Sequence, residues 1–399
     1  MKKIAFYAGS FDPFTIGHFR IVCEALCSYD KVIIGIGNNP GKATHMFGAA
    51  ERKSLIQYSL LEFLGLWQNK KFCKGFFSKS ENKALKRLQD EYECLDIVFY
   101  NGLTVDAALQ HGATSLIRGK RIVGDDADEM YQSIINKQLL AVRQRYLSMD
   151  LIPVPQENLT YVSSSAFKNL CAFGEYVAAM AYVSPSVHNA MMAKCLKPVF
   201  LSAYRGTVLG YSGWQPEEAW QKLLKAYEKR SYHNLSHLAY GINYFNIYRR
   251  LSGEVQGITP EEFLFAWFYH DIVCGEQNAE EKSAQIVADF LYSGKKVVPN
   301  LVLATKHQKN VPKSEAEKLI SDIDLAILGD VENYEKYSLG LRNEYRDIDD
   351  AAYAAGRSKF LQKQLKSDVF HLPFFKEMLE DTARHNMQRE LQIWQPLCK

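Results

Sequence analysis

The stretch that most constrains this chain is residues 9–18, Gly-Ser-Phe-Asp-Pro-Phe-Thr-Ile-Gly-His. It follows the apolar run at residues 4–8, whose short length and terminal glycine predict a buried strand. After His18, apolar residues recur at helical spacing through residues 19–26. We therefore predict a strand, a tight loop and a helix, whose free N–H groups and dipole suit a phosphate.

The totals indicate a globular chain of more than one domain. At 399 residues, about two domains of ordinary size are expected. With 47% hydrophobic and 23% charged residues, the chain does not have the composition of a disordered protein. A net charge of +3 does not indicate a nucleic-acid binder.

The cysteines and the N-terminal sequence predict a cytoplasmic protein. The eight cysteines form no CxxC pair and no regular framework, as expected of free thiols in a reducing compartment. The apolar run before Gly9 is too short for a signal peptide. No apolar stretch approaches the ~18 residues of a membrane span, so we expect no membrane contact.

Strand and helix patterns alternate through the first half of the chain. Short apolar runs at residues 31–37, 96–100, 115–117 and 150–154 predict further strands, with helical patterns between them. This alternation predicts an α/β fold, a doubly wound parallel sheet of Rossmann type. Because ligands bind beyond the carboxyl ends of such strands, the loops after the strands should meet at one edge.

The pattern changes around Lys197 and Pro198, after which helical patterns follow one another almost without interruption. We predict one domain at residues 1–197 and a second, all-α domain at residues 198–399, with residues 198–215 as the connector.

Cationic groups and hydroxyls follow the predicted strands of the first half. His18 lies at the start of a helix, Lys42 follows a Pro-Gly pair, and Arg118 and Arg121 follow a buried strand. The three serines at residues 163–165 open another helix and could hold phosphates with hydroxyl and N–H groups. Such groups suit nucleotidyl transfer, which must position two anionic reactants and neutralise growing charge.

Taken together, these loops resemble the nucleotidyltransferase superfamily and, over residues 3–197, the bacterial phosphopantetheine adenylyltransferases. The Thr15-Ile16-Gly17-His18 signature, Lys42 and the Arg118-to-Arg121 segment carry the resemblance, with residues 162–168 and 184–194. The resemblance implies a Mg²⁺-dependent transfer of AMP from ATP to 4′-phosphopantetheine, giving dephospho-CoA and pyrophosphate. It also implies a homo-oligomer.

The resemblance also implies a role for individual residues. His18, Lys42 and Arg121 would be catalytic, and Ser10, Lys42, Arg118 and Asn136 would bind the acceptor. The nucleotide would contact Gly9, Ser10, Phe11, His18, Gly119, Arg121, Glu129, Tyr161, Ser163, Ser164 and Ser165. The chain departs from the family at residues 126–129, at Lys137 and in an insertion at residues 68–94. Because these departures lie near the acceptor side, a different phosphorylated acceptor is the alternative.

Histidines and aspartates recur through the second half. His233 and His237 are four residues apart, His270 and Asp271 end an apolar run, and His307 precedes the pair Asp322 and Asp324. Imidazole and carboxylate ligands together suit Mn²⁺, Fe²⁺, Zn²⁺ or Mg²⁺.

This ordered set resembles the HD superfamily of metal-dependent phosphohydrolases over residues 216–394. The resemblance implies that His237, His270, Asp271 and Asp324 hold the metal and that His233 is a catalytic general acid acting on an unknown phosphoester. Asp322 competes with Asp324 as the last ligand, since two residues apart on a helix both cannot easily face one ion. The alternative is a regulatory module that senses a nucleotide.

Overall fold

The computed structural model describes residues 2–38, 45–68, 77–120, 126–153, 162–208, 215–291, 297–307 and 312–397, with side chains for all of these except residues 120–133. The chain divides into two compact units, described separately below. Unit 1 comprises Met1–Phe173 and Ala178–His188, and unit 2 comprises Gly174–Val177 and Asn189–Lys399.

Unit 1 is built on a parallel sheet of five strands. The strands are β1 (Ile4–Gly9), β2 (Lys31–Asn38), β3 (Leu95–Asn101), β4 (Ser115–Lys120) and β5 (Ser148–Pro153). Their order in the sheet is β3-β2-β1-β4-β5, and every pair is parallel. Successive strands are therefore added on one side of β1, through β2 to β3, and then on its other side, through β4 to β5. A ligand crevice is expected at this switch point between β1 and β4.

Helices cover both faces of this sheet. They are α1 (Ile16–Ser28), α2 (Ala49–Gln68), α3 (Lys79–Asp90), α4 (Thr104–Gln110), α5 (Asp126–Val142) and α6 (Ser164–Ala172). On one face Tyr7 and Ile34 share a core with residues of α1, α2 and α3. On the other face Phe6 and Ile33 pack with residues of α4 and α5. Neighbouring strand residues thus point to opposite cores, and the predicted doubly wound parallel sheet is confirmed.

The remaining chain is helical, and no strand lies in the described part of unit 2. After α7 (Tyr176–Met180) and α8 (Pro185–Thr207), its helices are α9 (Pro216–Tyr227), α10 (Leu235–Ser252), α11 (Pro260–Tyr269), α12 (Ala279–Phe290), α13 (Val297–Ala304), α14 (Glu315–Leu325), α15 (Tyr334–Glu344), α16 (Asp350–Gln364) and α17 (Pro373–Trp394). Among the described residues, no helix is both long and apolar enough to cross a membrane.

The division between the units differs from the position predicted from the sequence. The last boundary between the compact units falls between His188 and Asn189, whereas the domain boundary predicted from the sequence is at residue 198. Pro198 lies inside α8, so residues 198–207 are helix and not connector. A proline removes only one hydrogen bond of the helix, and the flanking Leu196 and Phe200 are fully buried, so packing carries the helix past it.

Candidate functional site

In unit 1, the loop after β1 fixes His18 at the start of α1. Thr15 is the N-cap of this helix, and its hydroxyl accepts the backbone N–H of His18. In return, Nδ1 of His18 accepts the backbone N–H of Thr15 at 2.9 Å. Phe14 stacks on the imidazole at 5.6 Å between ring centroids, and Phe11 contacts it edge-on at 5.2 Å. Because Nδ1 is an acceptor, Nε2 carries the proton of the neutral ring.

A second helix begins beside the same loop. Ser163 is the N-cap of α6 and accepts the N–H of Ala166 at 3.0 Å. Ser164 donates its hydroxyl to the carbonyl of Pro13 at 2.8 Å and so ties the two loops together. A Cβ at Gly17 would lie 3.3 Å from the carbonyl oxygen of Val162, so glycine permits this close approach. Two helix N-termini therefore share one edge of the sheet.

Two residues to which the sequence analysis gave no role hold this loop in place. The Asp12 carboxylate accepts the N–H groups of Met46 and Phe47, both at 2.9 Å, and lies 3.4 Å from Nζ of Lys168. Burial raises the pKa of Asp12, but these partners outweigh burial and leave the pKa lowered. The buried Arg52 donates to the carbonyls of Ser10 at 2.6 Å and Gly37 at 3.3 Å. Only long-range contacts reveal these roles.

The structure brings most of the described candidates of unit 1 to this edge. Gly9 ends β1, Ser10 and Phe11 follow it, and Arg118 and Gly119 lie near the end of the adjacent strand β4. Asn136 is buried on α5, the helix that follows β4. Outside the described residues are Lys42, Arg121 and Tyr161, together with the side chain of Glu129.

In unit 2, four side chains predicted from separate motifs converge. His237, His270, Asp271 and Asp324 each offer a ligand atom, and these atoms lie within 4.8 Å of one another. Nε2 of His237 is 3.1 Å from Nε2 of His270, which is 3.0 Å from Oδ2 of Asp271. Oδ1 of Asp324 is 3.4 Å from Nε2 of His237. The four donor atoms thus point at one another across a space that suits a single ion.

Trp267 orients the buried histidine pair. Nδ1 of His270 lies 2.7 Å from the carbonyl oxygen of Trp267 and donates its proton there, which turns Nε2 toward the cluster. The indole also stacks on the His270 ring, with centroids 4.1 Å apart. It approaches α10 closely because Gly241 has no side chain, since a Cβ there would lie 2.0 Å from the indole. The indole N–H donates to the carbonyl of Leu238 at 2.8 Å.

The two carboxylates of this cluster are held in the ionised form. Burial raises the pKa of Asp271, but the attraction of His270 and His233 outweighs burial and holds it well below its usual range. The pKa of Asp324 is held well below its usual range in spite of burial, chiefly by hydrogen bonds from His237, His270 and His307. Burial lowers the pKa of His270, yet the neighbouring carboxylates, Asp271 foremost, raise it to about 10. Two buried carboxylates are therefore paired with protonated imidazole, and a divalent ion could take the place of that proton.

The choice between Asp322 and Asp324 is decided by geometry. Oδ2 of Asp324 lies 2.9 Å from Nε2 of His307, so its other oxygen faces the cluster. Asp322 points elsewhere and accepts the N–H groups of His371 at 2.8 Å and Leu372 at 2.7 Å, where α17 begins. The structure thus brings Asp324, and not Asp322, to the other three residues.

His233 lies next to the cluster and is held by Glu344. Nε2 of His233 is 3.9 Å from Oδ2 of Asp271, whereas Nδ1 is 2.8 Å from Oε1 of Glu344. The pKa of His233 is raised well above its usual value, because Asp271, Cys274 and Glu344 outweigh the burial that lowers it. The sequence analysis gave Glu344 no role, since 111 residues separate it from His233 and no local pattern links them.

Comparison with known proteins matches the N-terminal half of the chain. The family described as cytidylyltransferase-like matches residues 6–170. A phosphopantetheine adenylyltransferase of Porphyromonas gingivalis is 34% identical over 177 residues, which are 44% of this chain and 92% of that protein. Another, of Allorhizobium ampelinum, is 33% identical over 192 residues, which are 48% of this chain and 97% of that protein.

Among solved structures, a Plasmodium falciparum nicotinic acid mononucleotide adenylyltransferase complexed with NaAD matches at 15% identity, over 50% of this chain and 96% of that chain. Its TM-score of 0.26 is too low to support a conclusion.

Proposed function

The N-terminal half of this chain belongs to the phosphopantetheine adenylyltransferase family, and we propose that it transfers AMP from ATP to 4′-phosphopantetheine, giving dephospho-CoA and pyrophosphate. The observation that carries this proposal is His18 at the N-terminus of α1, beside the N-terminus of α6. Both helix ends direct N–H groups and positive dipole ends toward one edge of the sheet, where a triphosphate would gain most.

In the proposed reaction, an acceptor phosphate oxygen attacks the α-phosphorus and pyrophosphate leaves. Developing charge on the phosphates would be stabilised by the Nε2 proton of His18 and by the cations Arg118, Lys42 and Arg121. Asp12 is already paired with N–H groups and Lys168, so it supplies no general base here. We expect Mg²⁺ to arrive on the phosphate oxygens of ATP, since this ion binds few protein ligands and keeps several waters.

An assay of the full chain with different acceptors tests which acceptor it uses. Labelled ATP is offered with 4′-phosphopantetheine, nicotinate mononucleotide or a simple alcohol phosphate, one at a time, and pyrophosphate release is measured. We expect release only with 4′-phosphopantetheine, and a strongly reduced release from the His18→Ala variant. Release with another acceptor alone would retain nucleotidyl transfer and reject the proposed acceptor. Undiminished turnover in His18→Ala would reject the role of His18.

We further propose that unit 2 hydrolyses a phosphoester as a divalent-metal enzyme of the HD type. The cluster of His237, His270, Asp271 and Asp324 supports this proposal, because it presents two imidazole nitrogens and two ionised carboxylates around one point. This donor set fits Mn²⁺, Fe²⁺, Zn²⁺ or Mg²⁺, and binding would displace the protons that the cluster holds. When bound, such an ion lowers the pKa of a water and polarises a phosphate.

His233 is placed to donate a proton to the leaving group. Glu344 fixes the ring through Nδ1, which leaves Nε2 facing the cluster, 3.9 Å from Oδ2 of Asp271. Trp267 and His307 orient His270 and Asp324 from the outside.

Metal analysis followed by a panel of phosphoesters with Mn²⁺ tests this second activity. We expect bound metal and phosphate release, and we expect phosphate release and the ion of this cluster to be lost in His270→Ala. Metal and tight nucleotide uptake without phosphate release would instead favour a regulatory module that senses a nucleotide.

A further inference from the structure

A second group of metal-ligand side chains lies on the far side of the His233 ring. His233, Cys274 and Glu344 each offer a donor atom, and these atoms lie within 4.8 Å of one another. They come from three places in the chain: the turn before α10, the loop after α11 and the last residue of α15. Nothing in the first cluster requires a thiol at this position.

The distances among these atoms suit a tetrahedral zinc ion. Sγ of Cys274 lies 3.6 Å from Nδ1 of His233 and 3.5 Å from Oε1 of Glu344. Zinc bonds to sulfur, nitrogen and oxygen have lengths that place tetrahedral ligand pairs of this kind about 3.5 Å apart. The nitrogen and oxygen are 2.8 Å apart, so they would have to separate by about 0.5 Å on binding.

The surrounding structure holds each ligand in place beforehand. The other oxygen of Glu344, Oε2, accepts the N–H groups of Tyr232 at 2.9 Å and His233 at 3.1 Å, which leaves Oε1 turned toward the group. The loop that carries Cys274 is anchored where the N–H of Val273 donates to the buried hydroxyl of Ser283 at 3.1 Å. A site whose ligands are fixed in this way needs little rearrangement to bind an ion.

We propose that His233, Cys274 and Glu344 form a second metal site, which binds Zn²⁺ through one nitrogen, one sulfur and one oxygen and keeps a fourth position for water. A thiolate with an imidazole is a donor pair that selects zinc over Mg²⁺ or Ca²⁺. The ion binds at Nδ1, whereas Nε2 of the same ring faces Asp271 at 3.9 Å. The two metal positions are therefore separated by the imidazole and do not share a bridging carboxylate.

The test is cobalt substitution of the metal-free full chain, because thiolate coordination to Co²⁺ gives a charge-transfer absorption band in the near ultraviolet. We expect two cobalt ions per chain and this band. Cys274→Ala should lose the band and one ion. Glu344→Gln should lower the affinity for the second ion more than ~100-fold, since the loss of an outer-shell group alone lowers metal affinity 10–100-fold. Cys195→Ala, which alters another partly exposed thiol of unit 2, is the matched control and should keep both.

His270→Ala separates this site from the proposed hydrolase. That variant should lose one ion and hydrolysis but keep the charge-transfer band, so failure of the first cluster leaves the second testable. A readout on the unaltered chain does not depend on folding of a variant: zinc should protect Cys274 from alkylation, measured by peptide mapping. One ion and no band in the folded wild-type chain, or a band that persists in Cys274→Ala, would overturn the proposal, as would equal alkylation with and without zinc.

Discussion

The candidate sites of the two units have opposite chemistry. In unit 1 the site presents donors: helix N-termini, the ring of His18 and the cation Arg118, while the one carboxylate of its loop, Asp12, is occupied by backbone N–H groups. In unit 2 the site presents acceptors, with Asp271 and Asp324 ionised beside two imidazoles. The first can meet an anion directly, whereas the second needs a cation between itself and any phosphate.

This difference also determines how each site depends on its surroundings. The donors of unit 1 are largely backbone groups, so their placement follows once α1 and α6 begin where they do. The acceptors of unit 2 are side chains from helices far apart in the chain, so each needs a partner that turns it. Trp267 orients His270 by a hydrogen bond, and His307 orients Asp324 in the same way. A substitution in one unit should therefore change the activity or metal content of that unit and leave the other unit unchanged.

The largest separation is expected from His270→Ala. Removing this imidazole should lower phosphoester hydrolysis by ~10³-fold or more, because a metal ion supplies several kcal/mol of transition-state stabilisation. Adenylyl transfer by the same chain should be unchanged. His385→Ala, which alters an exposed histidine on α17, is the control and should retain both activities. Retained hydrolysis in His270→Ala would contradict the metal role of the cluster.

The converse separation is expected from His18→Ala. We expect pyrophosphate release to fall ~10²- to 10³-fold, the usual cost of removing one donor that faces transition-state charge. Bound metal in unit 2 should stay the same. His111→Ala, an exposed histidine of unit 1 in the turn between α4 and β4, should leave transfer intact. Equal losses in these two variants would show that the effect is structural.

A smaller effect is expected from His307→Ala, which removes the partner of Asp324 without removing a proposed ligand. Metal affinity should fall ~10- to 100-fold, the range found when outer-shell groups are lost. Titration of the metal-free chain measures this, and His307→Gln should recover part of the affinity through its amide N–H. Unchanged affinity in His307→Ala would show that Asp324 needs no orienting partner.

The smallest effect concerns the carboxyl that the fold keeps away from the cluster. Burial raises the pKa of Asp322 to about 7, although the N–H groups of His371 and Leu372 and nearby cations oppose this. A raised pKa means that the folded state binds the extra proton, so this contribution to stability is complete below about pH 4 and is lost as pH rises through 7.

Chemical unfolding between pH 5 and pH 7 should therefore show the wild type losing stability relative to Asp322→Asn. The slope can reach at most about 1.4 kcal/mol per pH unit. Asp381→Asn, an exposed aspartate on α17, should run parallel to the wild type. A constant difference between wild type and Asp322→Asn would contradict the raised pKa.

The sequence predicts best those features whose residues lie next to one another in the chain. The β1 strand, the loop and α1 are contiguous, and the capping of α1 by Thr15 and His18 is written in four adjacent residues. Short apolar runs between helical patterns likewise predicted the parallel sheet, because its central strands β1 and β2 are buried on both faces. In unit 2 the motifs named the four clustered side chains, but spacing alone could not choose between Asp322 and Asp324.

What the sequence could not predict depends on contacts between distant segments. Arg52 reaches the carbonyl of Ser10 across 42 residues, and Glu344 reaches His233 across 111. Cys274 looked like an ordinary free thiol, since no second cysteine lies at metal-ligand spacing. The sequence also placed the start of a connector at Pro198, whereas α8 continues past this residue because packing outweighs the backbone preference of proline.

Because Gly241 has no side chain, the apolar contact between α10 and Trp267 helps to position the polar cluster of unit 2. Any larger residue there would push the Trp267 indole outward, and with it the carbonyl that holds His270. A saturation screen for loss of the unit 2 activity should therefore flag Gly241 as strongly as a metal ligand, although glycine has no functional group to offer. Substitutions on α10 could therefore move His270 without altering any of the four clustered side chains.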